Sequence, residues 1–250
     1  MFIKASSLVF IAGILTAALI SCDGPVPEPE SPAYPYRYYP LDTGKYIIYQ
    51  VDSIIYNETF ANDTTSWQVM EMLADTFYDL NGRLNYRIDR FRRTDGAAPW
   101  QLVNTWQVMG WDGKIEKVEN NLRFIKLATF VMDGWSWDGH AYLGGLDDLP
   151  YDYECNRLSY YEGWTYTYTN LERPFDINGL SFETTVTVLQ EGDSNLIWFD
   201  QGKEVYAEHI GMVYKEFFHF YTQDITCPTC PWEERVECGY SVKMSVLEYN

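Results

Sequence analysis

The chain has 250 residues, of which 36 are acidic and 18 are Lys or Arg, so its formal net charge is −18 with histidine neutral. A protein this acidic repels the phosphate backbone of nucleic acids, and we expect no nucleic-acid partner. The same charge disfavours adsorption to anionic lipid headgroups through a basic patch. Aromatic residues make up 17% of the chain, enough to form much of a hydrophobic core.

The N-terminus has the pattern of an export signal. Lys4 precedes an apolar run from Leu8 to Ile20, which is too short to span a bilayer comfortably but matches the apolar part of a signal peptide. The run ends in the sequence L-I-S-C at residues 19–22. This segment resembles the lipobox of bacterial lipoproteins, in which the peptide is cut before the cysteine.

The lipobox resemblance implies acylation of Cys22, with palmitate as one of the chains, and a signal peptide over residues 1–21. Several acyl chains on one cysteine anchor a protein stably in a membrane. We therefore expect the protein in the bacterial cell envelope, in the outer membrane, on either its periplasmic or its cell-surface face. An ordinary signal peptide followed by an incidental cysteine is the alternative. Cleavage would remove Lys4 and no acid, which leaves 229 residues with a net charge of −19.

Residues 22–38 have the composition of a spacer between this anchor and a folded domain. Prolines at positions 25, 27, 29, 32 and 35 favour an extended polyproline conformation and are incompatible with a helix. The fourteen residues from Asp23 to Tyr36 would span roughly 40 Å in that conformation. We expect this spacer to carry a single β domain over residues 39–250.

The domain sequence consists of strand-like segments separated by turn signals. Tyr, Ile, Val and Thr are frequent, apolar and polar residues alternate, and Asn81-Gly82 is a strong hairpin signal. This pattern predicts a mainly β fold, a strongly curved antiparallel sheet that forms a half-barrel or barrel with little helix. A long loop is expected over Gly134–Cys155. The predicted strands are Lys45–Tyr56, Ser66–Tyr78, Arg83–Arg93, Gln101–Met109, Ile115–Val118, Leu122–Phe130, Thr165–Thr169, Leu180–Leu189, Val205–Tyr221 with an interruption at Gly211, and Tyr240–Glu248.

Two short segments combine turn glycines with apolar and aromatic residues. They are Pro40-Leu41 with Gly44 and Tyr49, and Tyr206-Ala207 with Ile210-Gly211-Met212-Val213. Both are similar to motifs of a family of uncharacterised bacterial lipoproteins, and His209 stands where that family usually has a glycine. The resemblance implies a curved antiparallel sheet of the lipoprotein-carrier type, and it implies no activity.

Four cysteines follow Cys22, and an even number in an exported protein indicates disulfide bonds. They are Cys155, Cys227, Cys230 and Cys238, which allow three pairings. We expect Cys155 to pair with one of the other three and the remaining two to pair with each other. The alternatives are a zinc site on Cys227 and Cys230 with Cys238 and a histidine, and a thioredoxin-like redox pair.

Motifs for catalysis are weak. The nucleophile elbow G-x-S-x-G and the phosphate-binding loop G-x-x-x-x-G-K-S/T do not occur in the sequence, and we assign no catalytic residue, metal or cofactor. Acid pairs leave a hydrolase open, because glycosidases need two carboxyl groups across a cleft. The segment Asp133–Asp138 leaves a calcium site open. The acid pairs are Asp147 with Asp148, Asp152 with Glu154, and Glu233 with Glu234, and the histidines are His140, His209 and His219.

Aromatic side chains are the best indication of a ligand: buried they would form the core, and exposed together they would form a platform for sugar rings or acyl chains. Trp135 and Trp137 lie between two Asp-Gly turns, and with Trp111 and Tyr142 they form the candidate ligand-binding set. We therefore predict a membrane-tethered, non-enzymatic binding or accessory protein for an apolar ligand, a glycan or an envelope protein. A polysaccharide-acting hydrolase that uses acids in residues 133–154, and a structural subunit of an outer-membrane complex, are the alternatives.

Overall fold

The computed structural model of the protein describes residues 35–57, 61–144 and 163–250. Helix in these ranges is limited to a 3-10 turn, η1 (Pro35–Arg37), and one α-helical turn, α1 (Trp232–Arg235). No helix of the described residues is long and apolar enough to cross a bilayer. The strands are β1 (Tyr46–Tyr56), β2 (Asp63–Tyr78), β3 (Leu84–Arg93), β4 (Gln101–Trp111), β5 (Lys114–Glu119), β6 (Leu122–Leu127), β7 (Ser136–Asp138), β8 (Thr165–Ile177), β9 (Leu180–Ser194), β10 (Trp198–Ala207), β11 (Gly211–Tyr221) and β12 (Cys238–Tyr249).

All twelve strands of the described residues form one antiparallel sheet in the order β6-β5-β4-β3-β2-β1-β12-β11-β10-β9-β8-β7. Strands that are neighbours in sequence are also neighbours in the sheet, except that β6 and β7 lie at its two edges, and β1 pairs with β12 at its centre. The turn predicted at Asn81-Gly82 joins β2 to β3, with Gly82 at a φ of +72°. The prediction of a curved antiparallel β fold is confirmed.

The two edges of the sheet, β6 and β7, meet and nearly close it into a barrel. The backbone N–H of Ile125 donates to the carbonyl of Gly139 at 2.8 Å, and the indole N–H of Trp137 donates to the carbonyl of Ile125 at 2.9 Å. The hydroxyl of Tyr168 accepts from the N–H of Ala128 and donates to the carbonyl of the same residue. Side chains therefore complete a seam that backbone pairing does not span.

Several predicted strand limits were wrong. β6 ends at Leu127 instead of Phe130, and β8 and β9 extend beyond their predicted ends, to Ile177 and Ser194. The predicted strand Val205–Tyr221 is two strands joined by a tight turn. In that turn His209 has a φ of +60°, and the N–H of Ile210 donates to the carbonyl of Ala207. β7 lies inside the predicted loop Gly134–Cys155, whose last residues are outside the described ranges.

The end of the predicted spacer packs against the barrel. Tyr38 is completely buried, and the ring of Tyr36 lies so close to β4 that a Cβ at Gly110 would come within 2.3 Å of it. Residues 35–38 therefore belong to the folded domain. The predicted signal peptide, Cys22 and the rest of the spacer lie outside the described residues.

The cysteine prediction is confirmed for one pair. Cys227 and Cys230 form a disulfide with their Cα atoms 5.4 Å apart. Cys238 is also disulfide-bonded, and Cys155 lies outside the described residues. Because the sulfurs of Cys227 and Cys230 are bonded to each other, they are not available as zinc thiolates.

Candidate functional site

A group of charged side chains lies inside the barrel. Lys126 on β6 places its Nζ 2.9 Å from an oxygen of Glu204 on β10 and 3.4 Å from one of Glu119 on β5. β6 and β10 are first and ninth in the sheet order, so their side chains meet only because the sheet curls. We call this group the interior charge network. Its members are Glu71, Arg90, Lys117, Glu119, Lys126, Glu204 and Lys215.

The remaining contacts connect the network into one unit. Glu71 pairs with Lys117 and with Arg90, each at 2.9 Å. Glu204 pairs with Lys215 at 3.1 Å and accepts a hydrogen bond from the Tyr206 hydroxyl at 2.6 Å. The network contains four cations and three carboxylates, so it carries one excess positive charge inside a chain whose net charge is −18.

The carboxylates of the network are ionised at neutral pH. Burial opposes the ionisation of Glu204, but attraction to Lys126 and Lys215 and the Tyr206 hydrogen bond outweigh it and lower its pKa to about 2. The pKa of Glu71 is lowered in the same way, against burial, by Lys117 and Arg90. The pKa of Glu119 is also lowered against burial, mainly by Lys126.

Lys117 and Lys126 stay charged for the matching reason. Burial favours neutral lysine, but attraction to Glu71 raises the pKa of Lys117 and attraction to Glu119 and Glu204 raises that of Lys126. A glycosidase needs one carboxyl group that is still protonated near neutral pH. Because the three carboxylates of the network have lowered pKa values, none of them suits that role.

A small cavity of about 70 Å³ lies on one side of the network, room for roughly five water molecules. Tyr39, Pro40 and Tyr49 line it from one chain segment, and Tyr206 and residues 210–212 line it from another. The Tyr49 hydroxyl donates to the carbonyl of Met212 at 2.8 Å. The two segments that resemble lipoprotein motifs therefore meet at this cavity. Drug-sized ligands need about 300 Å³ or more, so the cavity holds only water or a very small ligand.

A larger concavity of about 210 Å³ lies on the other side of the network. It shares Trp106, Glu119, Lys126, Lys215 and Met244 with the small cavity. Its lining combines aromatic side chains with four charged ones. We call it the ring groove. It is lined by Arg90, Trp106, Glu119, Asn120, Phe124, Lys126, His140, Tyr166, Gln190, Lys215, Phe217, Tyr240, Val242 and Met244.

Gln190 places an amide on the wall of the ring groove. It lies on β9 opposite Gly202, where the missing side chain leaves room for the amide, since a Cβ there would come within 2.5 Å of Gln190 Oε1. The residue is 2% exposed, and its Nε2 donates no hydrogen bond to any described part of the protein. A buried donor without an acceptor costs about 1–3 kcal/mol. This donor therefore points to a ligand that supplies an acceptor.

The four aromatic residues predicted to bind ligand do not line a common pocket. Trp135 packs edge-on against Phe130, whereas Trp137 packs against Tyr168 and helps to close the barrel. Trp111 is exposed at the β4–β5 turn, and Tyr142 is exposed with its hydroxyl bonded to Glu116. None of the four lines the small cavity or the ring groove.

The predicted acidic and histidine candidates are also dispersed. Asp133 accepts a hydrogen bond from the N–H of Leu171, and Asp138 accepts one from the N–H of His140. In the described ranges no three His, Cys, Asp or Glu side chains are grouped as metal ligands. Glu233 and Glu234 belong to α1, His140 lines the ring groove next to Tyr166, His219 pairs with Asp200 and His209 is exposed. Asp147, Asp148, Asp152 and Glu154 lie outside the described residues.

The sequence singles out no member of the network, because charged residues in alternating strands carry no sign of burial. Lys117 and Glu119 alternate with apolar residues along β5, the usual pattern of a sheet with one wet face. The structure places both inside. Local sequence offers only a weak signal for this. Three of the seven members lie in the short segment 114–126, and a fourth, Arg90, lies on the Arg-rich β3.

The fold and the site together define a nearly closed antiparallel β-barrel with a charged, partly open interior. The chain matches no protein-family model, and no curated protein is similar to it. A Bacteroides fragilis protein provisionally described as exported, with a YmcC-like fold, is 12% identical with a TM-score of 0.38, over 85% of this chain and 98% of its own. A Parabacteroides distasonis protein provisionally described as a lipoprotein is 9% identical with a TM-score of 0.34, over 88% and 100%. These similarities are too distant to support a conclusion about this chain.

Proposed function

We propose that the protein is an exported lipoprotein whose barrel is a non-enzymatic binding module for a small organic anion. The signal-like N-terminus and the lipobox resemblance at Cys22 support export and lipid anchoring. The observation that carries the binding proposal is the buried amide nitrogen of Gln190, which has no acceptor among the described residues and belongs to a groove that Arg90, Lys126 and Lys215 of the interior charge network also line.

The chemistry of the ring groove indicates the class of ligand. A carboxylate, phosphate or sulfonate would approach Arg90, Lys126 and Lys215 and accept a hydrogen bond from Gln190. It would also neutralise the one excess positive charge of the network, and buried charge is costly unless it is compensated. Trp106, which also lines the groove, suits an apolar or aromatic body on the same ligand. A neutral apolar molecule would leave both the charge and the amide N–H unsatisfied, whereas an uncharged glycan could accept from the amide but would leave the charge uncompensated.

The test is isothermal titration calorimetry of the mature protein with benzoate and with benzyl alcohol, a neutral compound of similar shape. Benzoate is expected to bind, more weakly as salt is added, and benzyl alcohol is expected not to bind at the same concentrations. A hydrogen bond to a charged group contributes about 1.5–3 kcal/mol, so Gln190→Leu is expected to weaken benzoate binding about tenfold or more.

Two features of the variant separate binding from folding. Gln190→Leu removes an unsatisfied buried donor, so the free energy of unfolding without ligand is expected to stay the same or rise. The matched control is Lys203→Met, which removes a partly exposed cation of β10 that pairs with Glu216 and is expected to bind benzoate like the parent. Absence of benzoate binding, or equal affinity in Gln190→Leu and parent, contradicts the binding proposal. An unmodified N-terminus in mass spectrometry of the native protein contradicts the anchor.

A further inference from the structure

Five large apolar side chains are exposed on segments that adjoin η1, where the described chain begins. Solvent reaches 53% of Trp111 and between 40% and 48% of the other four. These fractions are high for side chains of this size, and no strand of the sheet covers them. We call this surface the aromatic rim. Its members are Tyr36, Trp111, Phe130, Met132 and Trp135.

The first part of the rim is the contact between η1 and the β4–β5 turn. The ring of Tyr36 lies against the backbone of Gly110, the residue before Trp111. The β6–β7 connection reaches the same turn, because the Thr129 hydroxyl donates to the carbonyl of Asp112 at 3.3 Å. The β4–β5 turn and the residues that follow β6 are therefore neighbours.

The second part of the rim is the β6–β7 connection itself. Phe130 and Trp135 make an edge-to-face contact with ring centroids 5.5 Å apart. The N–H of Trp135 donates to the carbonyl of Met132 at 3.0 Å, which folds this loop into a turn. Phe130 and Trp135 are thus in contact, and the segments that carry Tyr36, Trp111 and Met132 adjoin theirs. Exposed apolar side chains grouped on adjoining segments mark a contact site.

We propose that the aromatic rim rests on the lipid bilayer in which Cys22 is anchored. The inference depends on the lipid anchor of the proposed function. Only thirteen residues, 22–34, separate Cys22 from Pro35, and Pro35 directly precedes Tyr36 of the rim. Such a segment reaches about 40 Å when fully extended. A short tether keeps the rim at a millimolar effective concentration near the membrane, so a weak contact is sufficient.

The composition of the rim fits the interfacial region of a bilayer. Trp and Tyr rings favour the headgroup level of membranes because one part of each ring is apolar and another forms hydrogen bonds. Asp112 and Asp133 flank the rim and are exposed, and the chain as a whole is strongly acidic. The rim therefore fits zwitterionic lipids, whose ammonium groups also attract aromatic faces, and anionic lipids are expected to weaken the contact.

The experiment measures tryptophan fluorescence of the acylated mature protein on phosphatidylcholine vesicles, with and without brominated acyl chains. Bromine quenches only indoles that reach the bilayer. The parent is expected to be quenched, and the double variant Trp111→Phe with Trp135→Phe is expected to lose most of the quenching. The control is Trp100→Phe, because Trp100 precedes β4 at the end opposite Trp111, roughly 36 Å away along the strand. It is expected to be quenched like the parent.

Each other outcome has a definite meaning. Acylated protein that shows no quenching, or a double variant quenched as strongly as the parent, overturns the rim proposal and leaves the anchor in place. Protein that mass spectrometry finds unacylated overturns the anchor instead. Quenching that increases when phosphatidylglycerol is added contradicts the assignment of a zwitterionic surface.

Discussion

At the scale of single residues, Glu204 is the centre of the barrel interior. It is completely buried, and it pairs with Lys126 from one half of the sheet and with Lys215 from the neighbouring strand β11. Burying three charges costs desolvation energy, which their mutual attraction and the Tyr206 hydrogen bond offset. Such a network specifies which strands face each other, because any other arrangement leaves a charge buried without a partner.

Replacing Glu204 should therefore be far more damaging than replacing an outer carboxylate. Glu204→Gln leaves two lysines short of a counter-charge, and we expect a loss of about 3 kcal/mol in the free energy of unfolding. The matched control is Glu216→Gln on β11, whose carboxylate pairs with Lys203 and is 26% exposed, with an expected loss of less than about 1 kcal/mol. Urea unfolding at pH 7 measures both. Equal losses would show that the interior network is energetically no different from a surface ion pair.

At the scale of structural elements, the seam between β6 and β7 is closed mainly by side chains. An uncovered sheet edge exposes backbone groups that promote aggregation. Here the Tyr168 hydroxyl bonds to both backbone groups of Ala128, and Trp137 reaches the carbonyl of Ile125. The strand β7 has only three residues, so it cannot cover the whole edge of β6. Tyr168 and Trp137 protect part of that edge.

Removing the Tyr168 hydroxyl should loosen this seam. Tyr168→Phe leaves the buried N–H and C=O of Ala128 without that partner, at an expected cost of about 1–3 kcal/mol. Amide hydrogen exchange at Ala128 should accelerate, whereas exchange in the central strands β1 and β12 should change less. Tyr46→Phe is the control, because the Tyr46 hydroxyl bonds to Glu248 at an exposed site and its loss should have little effect. Unchanged exchange at Ala128 would mean that the hydroxyl does not hold the seam.

At the scale of the whole molecule, the interior network makes stability depend on acid pH. The pKa of Glu204 is about 2 in the folded protein against an ordinary value of 4.5, and the pKa values of Glu71 and Glu119 are also lowered. A lowered pKa means that the unfolded chain binds protons first as the pH falls. The stabilisation is therefore complete above pH 4.5 and is lost progressively as the pH falls towards 2.

This dependence can be measured in the parent and in Glu204→Gln. The urea midpoint of the parent is expected to be nearly constant from pH 7 to about pH 5 and to fall steeply between about pH 4.5 and 2. The fall should be smaller in the variant, because it lacks one of the carboxylates with a lowered pKa. An equally steep fall in the two proteins would assign the acid sensitivity to other carboxylates.

The sequence by itself determined the type of structure. Alternation of apolar and polar residues and the Asn81-Gly82 turn are local signals, and they specify strands and hairpins without reference to distant residues. The even cysteine count likewise indicated disulfides, as Cys227 and Cys230 show. Alternation defines two faces of a strand but does not say which face is enclosed. The pattern of β5 therefore does not reveal that Lys117 and Glu119 lie inside, because this is decided only when the sheet closes.

Only the tertiary structure decided which residues meet. Lys126 and Glu204 are 78 positions apart and form a pair because twelve strands curl until the first and ninth in order face each other. Trp135 and Trp137 are close in sequence, yet one is exposed on the rim and the other closes the seam. Closure of the sheet sets both outcomes, since it depends on the summed twist and register of all the strands, which no local segment encodes.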